Sequence, residues 1–278
     1  MIDYKEVFLT KFPSYISSYT YSIGSLYESQ AKLITRAFPT YMTQFLFEFC
    51  GDLSTTQSKN KTTQITKRSY VNTGVGEWID IFQLGSSQKK REVKNFKVDL
   101  HPHTLYEIFH LSPKEILKDD IRIEDIWHNK ESALEMIDQL AQSTRGEEMI
   151  QIFETHFLQQ MLQAKTLKNY ASLLSQQHSN LATLSKELGY SQRWVQMQYK
   201  EIFGLSFKEL QNNMRFLQVL EAMNTLVKSK KTINLSFVAL QFGYYDQAHF
   251  IKEFKHYTGF TPNIYIQKKF SAHIPFHW

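Results

Sequence analysis

One helix-turn-helix layout occurs twice in the last hundred residues of this 278-residue chain, and it constrains the fold more than any other feature. In the first copy Leu181, Leu184 and Leu188 fall on one face of a short helix. Gly189 follows, a residue free to take the left-handed backbone that ends a helix. Ser191 then stands where a hydroxyl caps the next helix, Gln192–Phe203, whose inward face is Val195, Tyr199 and Ile202. The second copy runs Leu235–Phe242, Gly243-Tyr244-Tyr245-Asp246, then Gln247–Thr258 and Gly259. Asp246 is its cap, and Phe250, Phe254 and Tyr257 face inward. The two caps are 55 residues apart, and Phe207–Lys228 reads as one connecting helix carrying Leu210, Met214, Leu217, Leu220 and Leu226.

The layout requires a helical C-terminal domain, and charge agrees with it. The chain carries +5 overall, divided as +8 from Lys165 onward and −3 before it. A basic region is the expected footprint of a surface that meets phosphates, although a solvated basic face gives the same count.

The second unit resembles the AraC/XylS transcription regulators. Val238-Ala239, Gly243-Tyr244, Asp246-Gln247-Ala248-His249-Phe250, Phe254-Lys255, Gly259 and Thr261-Pro262-Asn263-Ile264-Tyr265 follow the family pattern in order and spacing. The first unit fits through Leu188-Gly189, Ser191, Arg193, Tyr199, Gly204 and Ser206, with Phe207 where the family has proline. The resemblance implies base contacts from Arg193, Gln196 and Met197 in one helix and from Gln247, Ala248, Ile251 and Lys252 in the other. It implies phosphate contacts from Ser191, Gln192, Lys200 and Lys255. The side-chain chemistry suits these roles: Arg pairs bidentately with guanine, Gln with adenine, and apolar groups lie against thymine methyls. Met197 replaces a basic residue common in the family, so the first unit is expected to discriminate less between bases.

The rest of the chain reads as an α+β domain, a small β-rich sheet or barrel followed by helices. Phe45, Phe47 and Phe49 alternate with Gln44 and Glu48 at a period near two, as do Phe96, Val98 and Leu100 with Lys97 and Asp99. Trp78–Phe82 reads as a further strand behind Gly74 and Gly76. Ser54–Lys67 is polar with one aliphatic residue and is expected to be a flexible loop. Helical spacing begins near His103, with Leu105, Ile108 and Phe109, then a capped turn at Ser112-Pro113. The helices Ser132–Ala141 and Glu147–Gln163 follow. The domains are thus expected at 1–165, regulatory or dimerising, and 166–278, DNA-binding. Within the latter the units fall at about 181–204 and 235–259, with the linker at 207–228. Segments Pro39–Asp52, Gly74–Gly85, Glu92–Leu111 and Ile121–Trp127 resemble the N-terminal domain of one branch of the same regulators.

Chemistry is sparse. His101, His103 and His110 lack a Cys or acidic partner to complete a metal set, and no metal or cofactor is expected. The single cysteine, Cys50, is too few for an alkyl-transfer repair regulator, which needs a nucleophile and zinc ligands. That enzyme and an interaction protein with a vestigial module are the alternatives. The aromatic tail Ile274–Trp278 is expected to pack onto the DNA-binding module. No apolar run approaches the roughly 18 residues that span a bilayer, and Met1–Thr10 lacks a signal-peptide layout, so a cytoplasmic, non-enzymatic bacterial regulator is expected. The resemblance implies double-stranded DNA and RNA polymerase as partners. It also implies a small-molecule effector, a second copy of the chain, or both at the N-terminal domain. The operator, the effector's identity and the sign of regulation are not written in the sequence.

Overall fold

Alternating aromatic and aliphatic residues build the first part of the chain. The computed structural model describes residues 2–27, 33–38, 40–49, 54–58, 62–65, 69–73, 79–83, 90–116, 121–164, 180–228, 233–270 and 276–277. Nine strands come first: β1 (Ile2–Val7), β2 (Ile16–Tyr27), β3 (Leu33–Ala37), β4 (Thr43–Glu48), β5 (Ser54–Ser58), β6 (Thr62–Ile65), β7 (Ser69–Asn72), β8 (Ile79–Gln83) and β9 (Lys90–Leu100). Five helices follow: α1 (Thr104–Phe109), α2 (Pro113–Ile116), α3 (Ile123–Ile126), α4 (Lys130–Gln142) and α5 (Gly146–Gln163).

One antiparallel sheet has the order β1-β2-β9-β4-β7. Its inward face carries Tyr19, Phe45, Phe47, Phe96 and Val98, which pack on Phe153 and Phe157 of α5 and on Trp127. Burying a side chain of this size is worth roughly 1.5–3 kcal/mol each, so this layer is the main stabilising term of the domain. Buried polar groups on the sheet's opposite face pair across its strands. Asp99 accepts from Ser18 Oγ at 2.9 Å and from Gln44 Nε2 at 2.7 Å, and Lys97 lies 3.0 Å away. Glu154 of α5 accepts from the Tyr19 hydroxyl at 3.0 Å and the Lys11 amide at 2.9 Å, tying the helix to the segment between β1 and β2.

The second sheet has the order β10-β3-β8-β5-β6, with β10 being Phe276–His277. One expectation is corrected here. Ser54–Lys67 is not a loop, because β5 and β6 pair as an antiparallel hairpin. Thr55, Thr56, Thr62 and Thr63 are β-branched and suit a pleated backbone, whatever their polarity. Phe276 and His277 of the aromatic tail pair with Arg36 and Ala37 of β3, extending the N-terminal sheet, and the rest of the tail lies outside the described residues. Trp78, Gly74, Gly76 and Cys50 lie outside the described residues, as does most of the expected domain junction.

The C-terminal part is helical: α6 (Leu181–Leu188), α7 (Gln192–Phe203), α8 (Phe207–Lys228), α9 (Leu235–Gln241), α10 (Gln247–Thr258) and α11 (Pro262–Phe270). It holds two cores on one rod. Leu210 of α8 joins Leu184, Val195, Tyr199 and Ile202, while Phe216, Val219, Leu220 and Met223 join Phe250, Phe254 and Tyr265. Both units are thereby fixed to one helix.

Candidate nucleic-acid interface

Each recognition helix begins at a side-chain cap. The Ser191 hydroxyl accepts from the Trp194 amide at 3.2 Å, and the Asp246 carboxylate accepts from the His249 amide at 2.7 Å. Both preceding turns pass through a left-handed glycine, Gly189 at φ 72° and Gly243 at φ 71°. A side chain at either would strain the turn that sets the angle between the two helices. The linker α8 opens with a capping box, in which the Glu209 carboxylate accepts from the Ser206 amide at 2.7 Å. Those Ser206 hydrogen bonds hold the Glu209 carboxyl below its ordinary range.

The outward face of α7 carries Gln192, Arg193, Gln196, Met197 and Lys200, all exposed, with Ser191 exposed at its start. Met197 is an apolar group left 58% in solvent, on the same face as the polar readers. On α10, Gln247, Ala248, Lys252 and Lys255 are exposed, whereas Ile251 is half-buried against the second core. Each helix therefore presents amide, cationic and apolar groups in one row, the three chemistries that major-groove base edges recognise. Backbone amides at the two N-termini add phosphate donors.

Several positioning contacts were not foreseen from the sequence. Ser236 Oγ donates to Gln247 Oε1 at 2.7 Å, so the first side chain of α10 is held from α9 through its carbonyl oxygen. Arg215 of α8 donates to both carboxylate oxygens of Glu253 at 3.0 and 2.8 Å, and its guanidinium lies 4.4 Å from the Tyr244 ring centre. Both bonds come from Nη2, and this charge-assisted contact of one nitrogen with both oxygens pins α10 to the linker. In the first unit, Tyr190 stacks on Trp194 at 3.9 Å across the turn. Ser112 does not cap α2 with its hydroxyl. That hydroxyl donates instead to the Glu201 carbonyl at 2.6 Å, and Lys114 pairs with the Glu201 carboxylate at 3.5 Å. The N-terminal part thus grips the back of α7 near its C-terminal end, while the outward face of α7 stays exposed.

Two capped helices, each with an exposed mixed face and both carried on one rigid linker, define a DNA-binding module of the kind used by transcription regulators. Residues 184–268 match the family model described as a helix-turn-helix domain, and they form an AraC-type helix-turn-helix domain. No curated protein matches the chain. Among solved structures, an apo variant of ToxT from Vibrio cholerae strain SCE256 is 15% identical, with 90% of this chain and 97% of that one covered and a TM-score of 0.45. ToxT from Vibrio cholerae O395 bound to (E)-4-(8-methylnaphthalen-1-yl)but-3-enoic acid is 13% identical, covering 90% and 98%, with a TM-score of 0.45. The transcriptional regulator CdpR from Pseudomonas aeruginosa is 15% identical, covering 63% and 46%, with a TM-score of 0.30.

Among the described residues no group of three or more His, Cys, Asp or Glu is placed to hold a metal, and no helix is long and apolar enough to cross a membrane.

Proposed function

We propose that the protein is a sequence-specific transcription regulator. It places α7 and α10 in successive major-groove segments on one side of the duplex. The observation that carries this reading is the pair of exposed reading faces, Arg193-Gln196-Met197 and Gln247-Ala248-Lys252, mounted on one linker helix. Arg193 pairs with guanine, and Gln247, already oriented by Ser236, pairs with adenine. Ile251 contributes the edge of its side chain to a thymine methyl. Ser191, Gln192, Lys200 and Lys255 hold phosphates. One chain reads a non-palindromic site of about two half-sites one helical turn apart. Residues 1–165 act as the regulatory part, taking an effector or a second copy of the chain, and residues 166–278 act as the DNA-binding part. RNA polymerase is the partner through which binding is read out.

Footprinting on the DNA upstream of the gene tests this directly. We expect salt-dependent protection of two adjacent major-groove segments on one face. Arg193→Ala and Gln247→Ala should each weaken specific binding by about 1–3 kcal/mol and leave binding to random DNA nearly unchanged. Equal losses on both DNAs would remove these residues from the base-reading set.

A further inference from the structure

A cavity of about 380 Å³ lies between the N-terminal sheet and the start of α8. Ser14, Tyr41, His101 and His103 line it on one side, and Leu210 and Met214 of α8 on the other. No Lys, Arg, Asp or Glu lines it among the described residues. An ion placed there would give up part of its water with no opposite charge in return.

The histidines set the polarity. His103 is buried, and its Nε2 lies 3.0 Å from the Ser14 carbonyl oxygen. A carbonyl only accepts, so Nε2 carries the hydrogen and Nδ1 keeps a lone pair. That Nδ1 is buried without a partner among the described residues. His101 makes the same kind of bond to the backbone of Pro13, which has no N–H and so offers only its carbonyl. The two rings stack at 6.0 Å, 9° from parallel. Burial pushes both pKa values down, so both rings are neutral near neutral pH. The result is a largely apolar cleft whose polar end offers imidazole acceptors beside the Ser14 and Tyr41 hydroxyls, which both donate and accept.

We propose that this cavity binds a small uncharged molecule with an apolar body and a hydroxyl group, the hydroxyl donating to an imidazole nitrogen of the His101–His103 pair. The body packs on Leu210, Met214 and Pro102. Because Leu210 belongs to the core of the first reading unit, the ligand bridges the N-terminal part and that unit. Binding is measured without DNA, so its failure would leave the DNA-binding reading standing, and the reverse.

The test uses the full chain and three probes that share one body: 4-propylphenol, propylbenzene and 4-propylbenzoate. Calorimetry at neutral pH should show saturable binding of the phenol at one site, about tenfold or more tighter than either analogue. In protein labelled with ¹³C at the methionine methyls, the Met214 resonance, assigned with Met214→Leu, should shift on addition of the phenol. Leu210→Trp fills the chamber and should abolish phenol binding. His103→Phe should shrink the preference of phenol over propylbenzene. Absence of saturable phenol binding overturns the proposal. So does equal or tighter binding of the benzoate or of propylbenzene, or shifts at other methionines with Met214 unmoved. Should either variant fail to fold, the wild-type titrations and the Met214 shift decide the matter alone.

Discussion

At the scale of single residues, the contacts that aim the reading helices are long-range and electrostatic. Arg215 and Glu253 are 25% and 14% exposed, between a surface pair and a fully buried one. Truncation leaves Glu253 with His249, 3.7 Å away, as its neighbouring base among the described residues. Arg215→Ala should therefore cost about 2 kcal/mol, between the values typical of exposed and buried pairs. Urea unfolding would check this, and footprint protection should fade first over the segment read by α10. Unchanged unfolding and an unchanged footprint would mean that the pair does not hold the helix. His103 supplies a pH dependence of definite sign. Burial first, then the adjacent His101, pushes its pKa from 6.5 to about 4. The unfolded chain takes up a proton near 6.5 that the folded chain refuses until about 4. Stability is then intact above pH 6.5 and falls through that window, by on the order of 3 kcal/mol in full. His101 and His156, also lowered by burial, act in the same sense, while Glu107, raised by burial, acts in the opposite one. The difference between wild type and His103→Phe isolates the His103 part. The variant should lose less stability on acidification, and parallel curves would refute the assignment.

At the scale of elements, the parts legible in the sequence are those whose signals are local. Caps, left-handed glycines and helical spacing lie within a dozen residues of one another, and the helices α6 to α10 stand where those signals place them. The strands β5 and β6 were hidden because polarity suggests a loop while β-branching suggests a strand, and sheet context decides between them. Arg215–Glu253, Ser112–Glu201 and the histidine-lined cavity join residues 38 to more than 100 positions apart, which no local pattern encodes. Ser112 shows the same point from the other direction. Its position before Pro113 reads as a cap, yet its hydroxyl serves the last turn of α7, while its backbone is used locally, the amide donating to the Glu115 carboxylate at 2.8 Å and the carbonyl accepting from the Glu115 amide at 2.9 Å. Beside that contact, Gly204 has φ 70°, and a Cβ there would come within 3.0 Å of Pro113. Ser112→Ala should loosen this seam by about 1 kcal/mol. Amide exchange should accelerate at the C-terminal end of α7 and leave α10 unaffected. A uniform change over both units would instead mean that the seam stabilises the whole chain and not one element.

At the scale of the molecule, the argument concerns how far apart two readers on one rod can work. The linker α8 is continuous over Phe207–Lys228, and both cores are built onto it, so neither unit is free to slide along the duplex. Its rigidity separates two ways of occupying a long site. If one chain supplies both readers, inserting about 5 base pairs between the two segments turns one of them to the far side of the helix, and inserting about 10 moves it one full turn away. A single rigid module reaches neither arrangement, so both insertions should reduce affinity to that of one unit plus phosphate contacts. If each segment is instead read by a separate chain of a dimer, the insertion of about 10 base pairs restores the face and regains much of the affinity. We expect the first pattern, with both insertions failing alike in mobility-shift titrations at fixed salt. Fixed salt is essential because the +8 C-terminal part gives the non-specific component a steep ionic-strength dependence that would mask the comparison. Recovery at the full-turn spacing would assign the two segments to two chains and leave each chain reading through one helix.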